Sequence, residues 1–418
     1  MFQRVGSAAY KADLDNTFRL DAYFDHPHRK FHTIHVAGTN GKGSTSHILA
    51  AILQSAGYKT GLYTSPHLLD FRERIRVDGA MIPQREVVDF VEQHQAVIQE
   101  VKPSFFEMTV AMAFDYFARQ GVDVAVIEVG MGGRLDSTNI VTPLVSVITN
   151  ISHDHGQFLG DTLEKIAGEK AGIIKPGVPV VIGETQPETA PVFTRIAAER
   201  QAPIVFADRT MQSVREANNI IKITKNNAKT AYTLDLAGDY QEKNLRTVLA
   251  AVRVLNGRGT LRLPDAVVQA GISRAACLTG LRGRWQVLSE HPLVLADTGH
   301  NEAGIREIAA QIDRTPHDRL FMVFGVVNDK DLERIWPLLP RNAYYIYTQA
   351  KIERALNSET LAQQAKEQGF SGEVVPDIPT AVCRAQQLAG ENDLIFIGGS
   401  TFTVAEALPS FVIGDKLK

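Results

Sequence analysis

The sequence predicts an α/β protein in two parts: a mostly parallel sheet domain carrying a small β-rich insertion, then a smaller Rossmann-like α/β domain. Short apolar runs alternate with helical patterns from one end of the chain to the other, the signature of βαβ units. The stretch IHVAGTNGKGSTSHI, residues 34–48, sets three glycines around one lysine between a strand and a helix, the context of a P-loop. A change of texture over about 203–239, and a Gly- and Arg-rich segment near 281, divide the chain.

HTIHVAG reads as a strand, with Ile34 and Val36 alternating against polar neighbours. Ile48, Leu49, Ile52, Leu53 and Ala56 then recur at helical spacing, and Gly57 stops the pattern. KTGLYT is a strand, PQREVVDFVEQHQAVIQEV a helix, FEMTVAMAFDYFARQG another, and VDVAVIEVG and PLVSVITNI are strands. Polar, short-period sequence such as NIIKITKNNAKTAYTLDL predicts an antiparallel insertion over about 203–239. Helical sequence follows to about 281, and GLRGRWQ reads as a hinge. The strands PLVLADTG, LFMVFGVV, YYIYTQ and DLIFIGG make the second series, with helices over 302–314 and 358–369 between them. The expected domains are 1–283 and 286–418, the second large enough for its own core.

Hydrophobic content of 44% and charge of 22% are those of a soluble globular protein. A net charge of −3 gives no reason to expect nucleic acid or an anionic membrane as a partner. Cys277 and Cys383 lie too far apart to form a metal-type pair and read as structural thiols of a reducing compartment. The N-terminus lacks the apolar core of a signal peptide, and no run reaches the ~18 apolar residues that span a bilayer. A cytoplasmic protein is expected.

The glycine loop is spelled unusually. Only Thr39 and Asn40 separate Gly38 from Gly41, and Gly43 stands between Lys42 and Ser44. Backbone N–H groups of the loop, and a helix N-terminus expected at Ser44, would face an anion. Lys42 can add charge near the β- and γ-phosphates of a nucleotide, and Ser44 can approach Mg²⁺. A glycine turn with a surface lysine is the plain alternative.

Glu128 closes a strong strand in IEVGMGGR, where parallel sheets bind ligands; it is a hard-metal ligand or an edge glutamate in a salt bridge. His153, Asp154 and His155 crowd TNISHDHGQFLG as a metal trio or a solvated loop. Lys170, beside Ala171, Ile173 and Ile174, is a partly buried lysine reactive toward electrophiles including CO₂, or a helix-surface lysine. Arg72, Arg74 and Arg76 fall at strand-like spacing, as substrate contacts or a solvated basic edge. Phe106 and Glu107 line a pocket or are a core Phe and a helix-start Glu. GGSTFTVAEAL is an anion site at a helix start or a simple strand–helix turn.

AGTNGKGS, YTSPHLLDFRERIRVDG, VIEVGMGGRLDSTN, DHGQFLGDTLEKIAGEKAGIIK, GDYQEKN, GRW and DTGHN occur in that order. In this the sequence resembles the folylpolyglutamate synthase/dihydrofolate synthase family, ATP-dependent ligases related to the Mur peptide ligases, over nearly its whole length. The resemblance implies that Thr39, Asn40, Gly41, Lys42, Gly43 and Ser44 hold the ATP phosphates. It implies that Ser65, Glu128 and His155 bind two Mg²⁺ ions, that Lys170 is carbamylated, and that Asn244, Arg284 and Asp297 contact ATP. Lys42, His155, Lys170 and His300 are the implied catalytic residues, His300 in the second domain's motif. That motif departs from the family's usual DGAHNP: this chain reads DTGHNE from Asp297 to Glu302, which leaves the local turn open. The implied partners are L-glutamate and a folate or dihydropteroate, and the implied state is a monomer. Arg72, Arg74 and Arg76 then lie in the family's mobile loop near the pterin site, and Phe106 and Glu107 beside its pocket.

The implied reaction phosphorylates the pteridine-linked carboxylate at the expense of ATP. Glutamate's amine then attacks the acyl phosphate and phosphate leaves, two domains meeting over ATP to exclude water. The competing readings are another Mur-type amino-acid ligase and a P-loop small-molecule kinase, which would transfer phosphate and stop. A switch GTPase lacks its base-recognition motif here, since VVNDKD orders the letters wrongly. A non-catalytic nucleotide-binding module would leave the candidate metal ligands idle.

Overall fold

The structure is a computed structural model, describing residues 13–154, 156–216, 219–225 and 227–411. The chain forms two compact units: one runs to Asp235 and resumes over Tyr240–Leu281, and the other comprises Leu236–Asp239 and everything from Arg282 onward.

Strands β1 (His32–Ala37), β2 (Thr60–Tyr63), β3 (Ile75–Val77), β4 (Ala80–Met81), β5 (Val124–Glu128), β6 (Val145–Ile148), β7 (Val180–Ile182) and β8 (Ile204–Phe206) form the first unit's main sheet. Their spatial order is β4-β3-β2-β5-β1-β6-β7-β8. The six strands from β2 to β8 in that row pair in parallel, and β3 and β4 add antiparallel at one edge. Helices cover both faces, so β5 and β6 are buried along their whole length. One core gathers around Phe114, Phe117, Tyr63 and Ile127, the other around Ile148, Ile166, Ile174 and Phe193.

The predicted antiparallel insertion is present but starts later than its composition indicates. Ile204–Phe206 pairs in parallel with β7, because the helix Ala190–Glu199 carries the chain back across the sheet. The separate sheet is β9 (Gln212–Arg215), β10 (Ile220–Lys225) and β11 (Ala228–Thr233), all antiparallel. The single helix expected over 83–101 is two, Gln84–Gln93 and Gln95–Val101. They part at His94, whose ring packs edge-on against Phe24 and Phe90.

The second unit holds β12 (Gln286–Glu290), β13 (Leu293–Ala296), β14 (Leu320–Phe324), β15 (Tyr344–Tyr347), β16 (Ser371–Val374) and β17 (Leu394–Gly398), ordered β12-β13-β17-β14-β15-β16. All pairs are parallel except β12 with β13. Phe324, Tyr345, Phe396, Trp336 and Leu361 fill its core. Gln311 holds the Leu236–Asp239 segment in this unit, accepting from the Asp239 N–H and donating to the Ala237 carbonyl. The α/β class, the parallel main sheet, the β-rich insertion and the Rossmann-like second sheet are therefore as predicted. Among the described residues no helix is long and apolar enough to cross a membrane.

Candidate functional site

The candidate site of the first unit lies where four parallel strands end: β1 runs into the glycine loop, β2 into Ser65, β5 into Glu128 and β6 into Thr149 and Asn150. The helix after the loop is Lys42–Ser55, two residues longer at its start than expected from Ser44. Gly41 caps it at φ +81°, a conformation a side chain resists. No side chain caps its first turn, which holds no acidic residue. Lys42, Gly43 and Ser44 are thus the first three helical residues, where N–H groups lack an intrahelical acceptor. That is a cradle for an anion. The extra glycine belongs to the helix's first turn rather than to the loop.

The loop is fastened to the end of β6. The Thr149 hydroxyl donates to the Asn40 carbonyl at 2.6 Å, while Asn150 Oδ1 accepts the Asn40 N–H at 2.9 Å. Thr39 N–H donates to the Asn150 carbonyl, and its hydroxyl pairs with the Ser152 backbone. Gly38, at φ +146°, lies so near that a Cβ there would fall 1.8 Å from Thr149 Oγ1. On the other side a Cβ on Gly41 would fall 2.2 Å from Asn244 Oδ1. Asn244 donates to Gln241, which donates to the buried Ser44 hydroxyl at 3.1 Å. The family resemblance made Asn244 an ATP contact, without placing it at the loop, and sequence reasoning gave no role to Thr149, Asn150 or Gln241. Their signal was position: polar residues at a parallel strand's carboxyl end and in GDYQEKN.

Two lysines converge on one carbonyl. Lys42 Nζ donates to the Gly38 and Thr39 carbonyls at 3.1 Å each, and Lys170 Nζ donates to the Gly38 carbonyl at 2.8 Å. Lys170 is only 4% exposed, so it is not a helix-surface lysine. Burial, reinforced by the Lys42 ammonium, brings its pKa down to about 7. Its amine is therefore neutral in a large fraction of molecules near neutral pH.

Glu128 is buried in the middle of the sheet, not at an edge, and its carboxylate accepts the Ser65 N–H at 3.0 Å. The Glu128 carboxylate is an oxygen donor suited to a hard cation, and the residue whose N–H it accepts, Ser65, carries a hydroxyl of the same kind. The next loop is held by Asp136, which accepts from the Met131 and Thr138 N–H groups and from the Thr138 hydroxyl. Burial raises the Asp136 pKa. His153 and Asp154 follow Ser152 on the loop after β6; His155 lies outside the described residues.

The basic stretch is not a solvated strand edge. Arg72 pairs with Asp70, but Arg74 and Arg76 are 5% and 9% exposed. Arg74 donates to His67 at 2.8 Å and sits over the Phe105 ring, and burial lowers its pKa. His67 is held down to about 4, by burial first and by Arg74 second. Glu107 completes a capping box with Ser104, a helix-start role. Phe106 packs against Gly130, in the loop that follows Glu128.

In the second unit, Asp297 is buried and its two oxygens accept the Trp285 and Gly299 N–H groups at 2.7 and 2.8 Å. Arg284 donates to Thr298, and His300 Nδ1 is 2.9 Å from the Thr298 carbonyl. The DTGHNE turn is thereby defined: Asn301 caps the helix Glu302–Arg314 through its side chain, with no proline needed. Ser400 likewise caps Thr401–Ala407. A cavity of about 860 Å³, lined by Arg319, Arg341 and Tyr344, opens instead at the amino ends of β14 and β15, and Arg319 there is committed to Asp393. Cys277 and Cys383 are free and exposed.

Known proteins share this domain pattern and fold. Residues 36–252 match the Mur ligase middle domain, and residues 283–401 match the Mur ligase glutamate ligase domain. The dihydrofolate synthase/folylpolyglutamate synthase of Bacillus subtilis (strain 168) is 33% identical over 413 residues, 95% of this chain and 94% of the relative. The solved Mycobacterium tuberculosis folylpolyglutamate synthase complexed with ADP superposes with a TM-score of 0.87 at 30% identity, over 98% of this chain and 97% of that one. A bifunctional folylpolyglutamate synthase/dihydrofolate synthase solved with Mn, AMPPNP and L-glutamate bound gives 0.85 at 30% identity, over 96% and 94%.

Proposed function

The chain belongs to the folylpolyglutamate synthase/dihydrofolate synthase family of Mur ligases, and from that premise we propose that it joins L-glutamate to a folate or dihydropteroate carboxylate through an acyl phosphate. It is an ATP-dependent ligase. The observation that carries the reading is the meeting, at one end of one sheet, of an uncapped helix N-terminus, Lys42, the Ser65–Glu128 pair and the buried Lys170.

The first-turn N–H groups of Lys42, Gly43 and Ser44, with Thr39, Asn40 and Gly41 shaping the loop, bind and orient the ATP phosphates. Lys42 turns from its own carbonyls to the transferring phosphoryl group. Ser65, Glu128 and His155 would hold Mg²⁺, two ions in all, which supplies charge neutralisation on that group when bound. The neutral Lys170 amine takes up CO₂ as a carbamate and releases one proton to solvent, which replaces an amine with an anionic oxygen donor. Asn244, Arg284 and Asp297 contact the nucleotide and His300 serves the second unit's step, roles that rest on the motif match. The substrate carboxylate attacks the γ-phosphate, ADP leaves, the glutamate amine attacks the acyl carbon, and phosphate departs. The enzyme works in the cytoplasm as a monomer, with 1–283 as the ATP domain and 286–418 as the glutamate domain.

The test is purified protein with ATP, Mg²⁺ and labelled glutamate, offered dihydropteroate or tetrahydrofolate in separate reactions. Incorporation with at least one acceptor is expected, and the pattern assigns dihydrofolate synthase, folylpolyglutamate synthase or both. No incorporation with either sinks the proposal.

A further inference from the structure

Asp21, His26 and His28 form a cluster that ligation does not use. Asp21 lies in the last turn of the helix Asp15–Tyr23, and its side chain is 4% exposed. Its two oxygens are served separately: His26 Nδ1 stands 2.6 Å from one and His28 Nδ1 2.5 Å from the other. The turn is built to bring them there. His26 adopts a left-handed φ of +48°, its N–H donates to the Asp21 carbonyl, and Pro27 sets the short 3₁₀ turn Pro27–Arg29 that carries His28. A left-handed imidazole residue costs about 1 kcal/mol or more and persists where its surroundings demand it.

We propose that these three side chains bind one borderline divalent metal ion, of which Zn²⁺ fits best. One carboxylate oxygen and two imidazole nitrogens lie within 4.8 Å of one another. Ligands on Zn²⁺ sit about 2.0–2.2 Å from the ion, hence roughly 3.3–3.5 Å apart, so closing the site takes shifts of about an ångström. Two nitrogen donors disfavour Mg²⁺ and Ca²⁺, which take oxygen. On binding, the proton on each Nδ1 moves to Nε2, leaving both rings neutral and the carboxylate charge beside the ion. The His26 side chain is 41% exposed, so the ion can enter and a water can complete a tetrahedron. The site precedes β1, whereas the glycine loop follows it, about 20 Å away along a six-residue strand. The ion therefore fastens the helix Asp15–Tyr23 to the Pro27–Arg29 turn that leads into β1, and takes no part in catalysis.

The test uses Co²⁺ as a spectroscopic substitute and then Zn²⁺, on full-length Glu128→Ala protein, in which the proposed Mg²⁺ position is disabled. Binding of one Co²⁺ with the intense visible bands of a tetrahedral ion, displaced by one Zn²⁺, is expected. His26→Asn/His28→Asn should abolish it. Asparagine keeps an N–H donor to Asp21 and tolerates the left-handed turn, so this variant keeps its fold. In the otherwise wild-type background, Zn²⁺ should raise the unfolding temperature by a few degrees, and the double variant should lose that rise while ligating normally. Absence of tetrahedral bands in Glu128→Ala, or bands unchanged by the double substitution, overturns the proposal.

Discussion

Both units present their candidate residues at the carboxyl ends of parallel strands, yet they use polar groups in opposite ways. In the first unit the groups facing the site are left over: N–H groups without caps, a lysine resting on carbonyls of its own loop, a second lysine too buried to stay fully charged. In the second unit the corresponding carboxylate is already committed. Asp297 holds Trp285 and Gly299, and Arg284 holds Thr298. The contrast teaches that a strand-end position offers a site, while the balance of satisfied and unsatisfied donors decides whether its groups must turn toward a ligand or are held in place before one arrives.

The sharpest way to break this contrast is Lys42→Ala. Removing one electrostatic stabiliser should lower turnover by about 10²–10³-fold with little change in thermal unfolding. Near-normal ligation would show that the loop needs no mobile cation. Lys170→Ala should cost about 10–100-fold, the scale of losing a group that supports metal ligation, and a short carboxylate added in solution should restore part of it. Full activity without rescue would dispose of the carbamate.

Asp297→Ala should weaken the proposed nucleotide contact and also cost stability, by about 1–3 kcal/mol, because two N–H groups lose a charged acceptor. Denaturant unfolding measures it, and an unchanged midpoint would contradict the structural commitment described for this carboxylate. The smallest effect concerns pH. With a pKa near 7, the Lys170 amine is mostly ammonium at about pH 6 and mostly neutral at about pH 8, whereas an ordinary lysine is charged at both. Carbon-13 NMR with labelled bicarbonate should show more protein carbamate at the higher pH, absent in Lys170→Ala.

The glycine loop was legible in the sequence because it is local, glycines and a lysine between strand and helix, whereas Glu128 and Lys170 were candidates with plain alternatives, an edge glutamate and a helix-surface lysine. The fold class was legible for the same reason. What was not legible depends on contacts between distant segments. Arg74 and Arg76 looked solvated until His67 and Phe105 were packed around Arg74. Glu128 could be an edge residue until β5 was placed between β2 and β1. The clamp of Thr149 and Asn150 on Asn40 joins residues about 110 positions apart, which no local pattern encodes. Gly43 gained its meaning only when Gly41 was seen to cap the helix.

The central claim is that the loop serves to make a carboxylate reactive by phosphorylating it. Ligation with an acceptor whose carboxylate carries oxygen-18 tests this directly, since amide formation from an acyl phosphate leaves one carboxylate oxygen on the released phosphate. Mass spectrometry of that phosphate should find one labelled oxygen per glutamate joined. Unlabelled phosphate at full ligation would contradict the account.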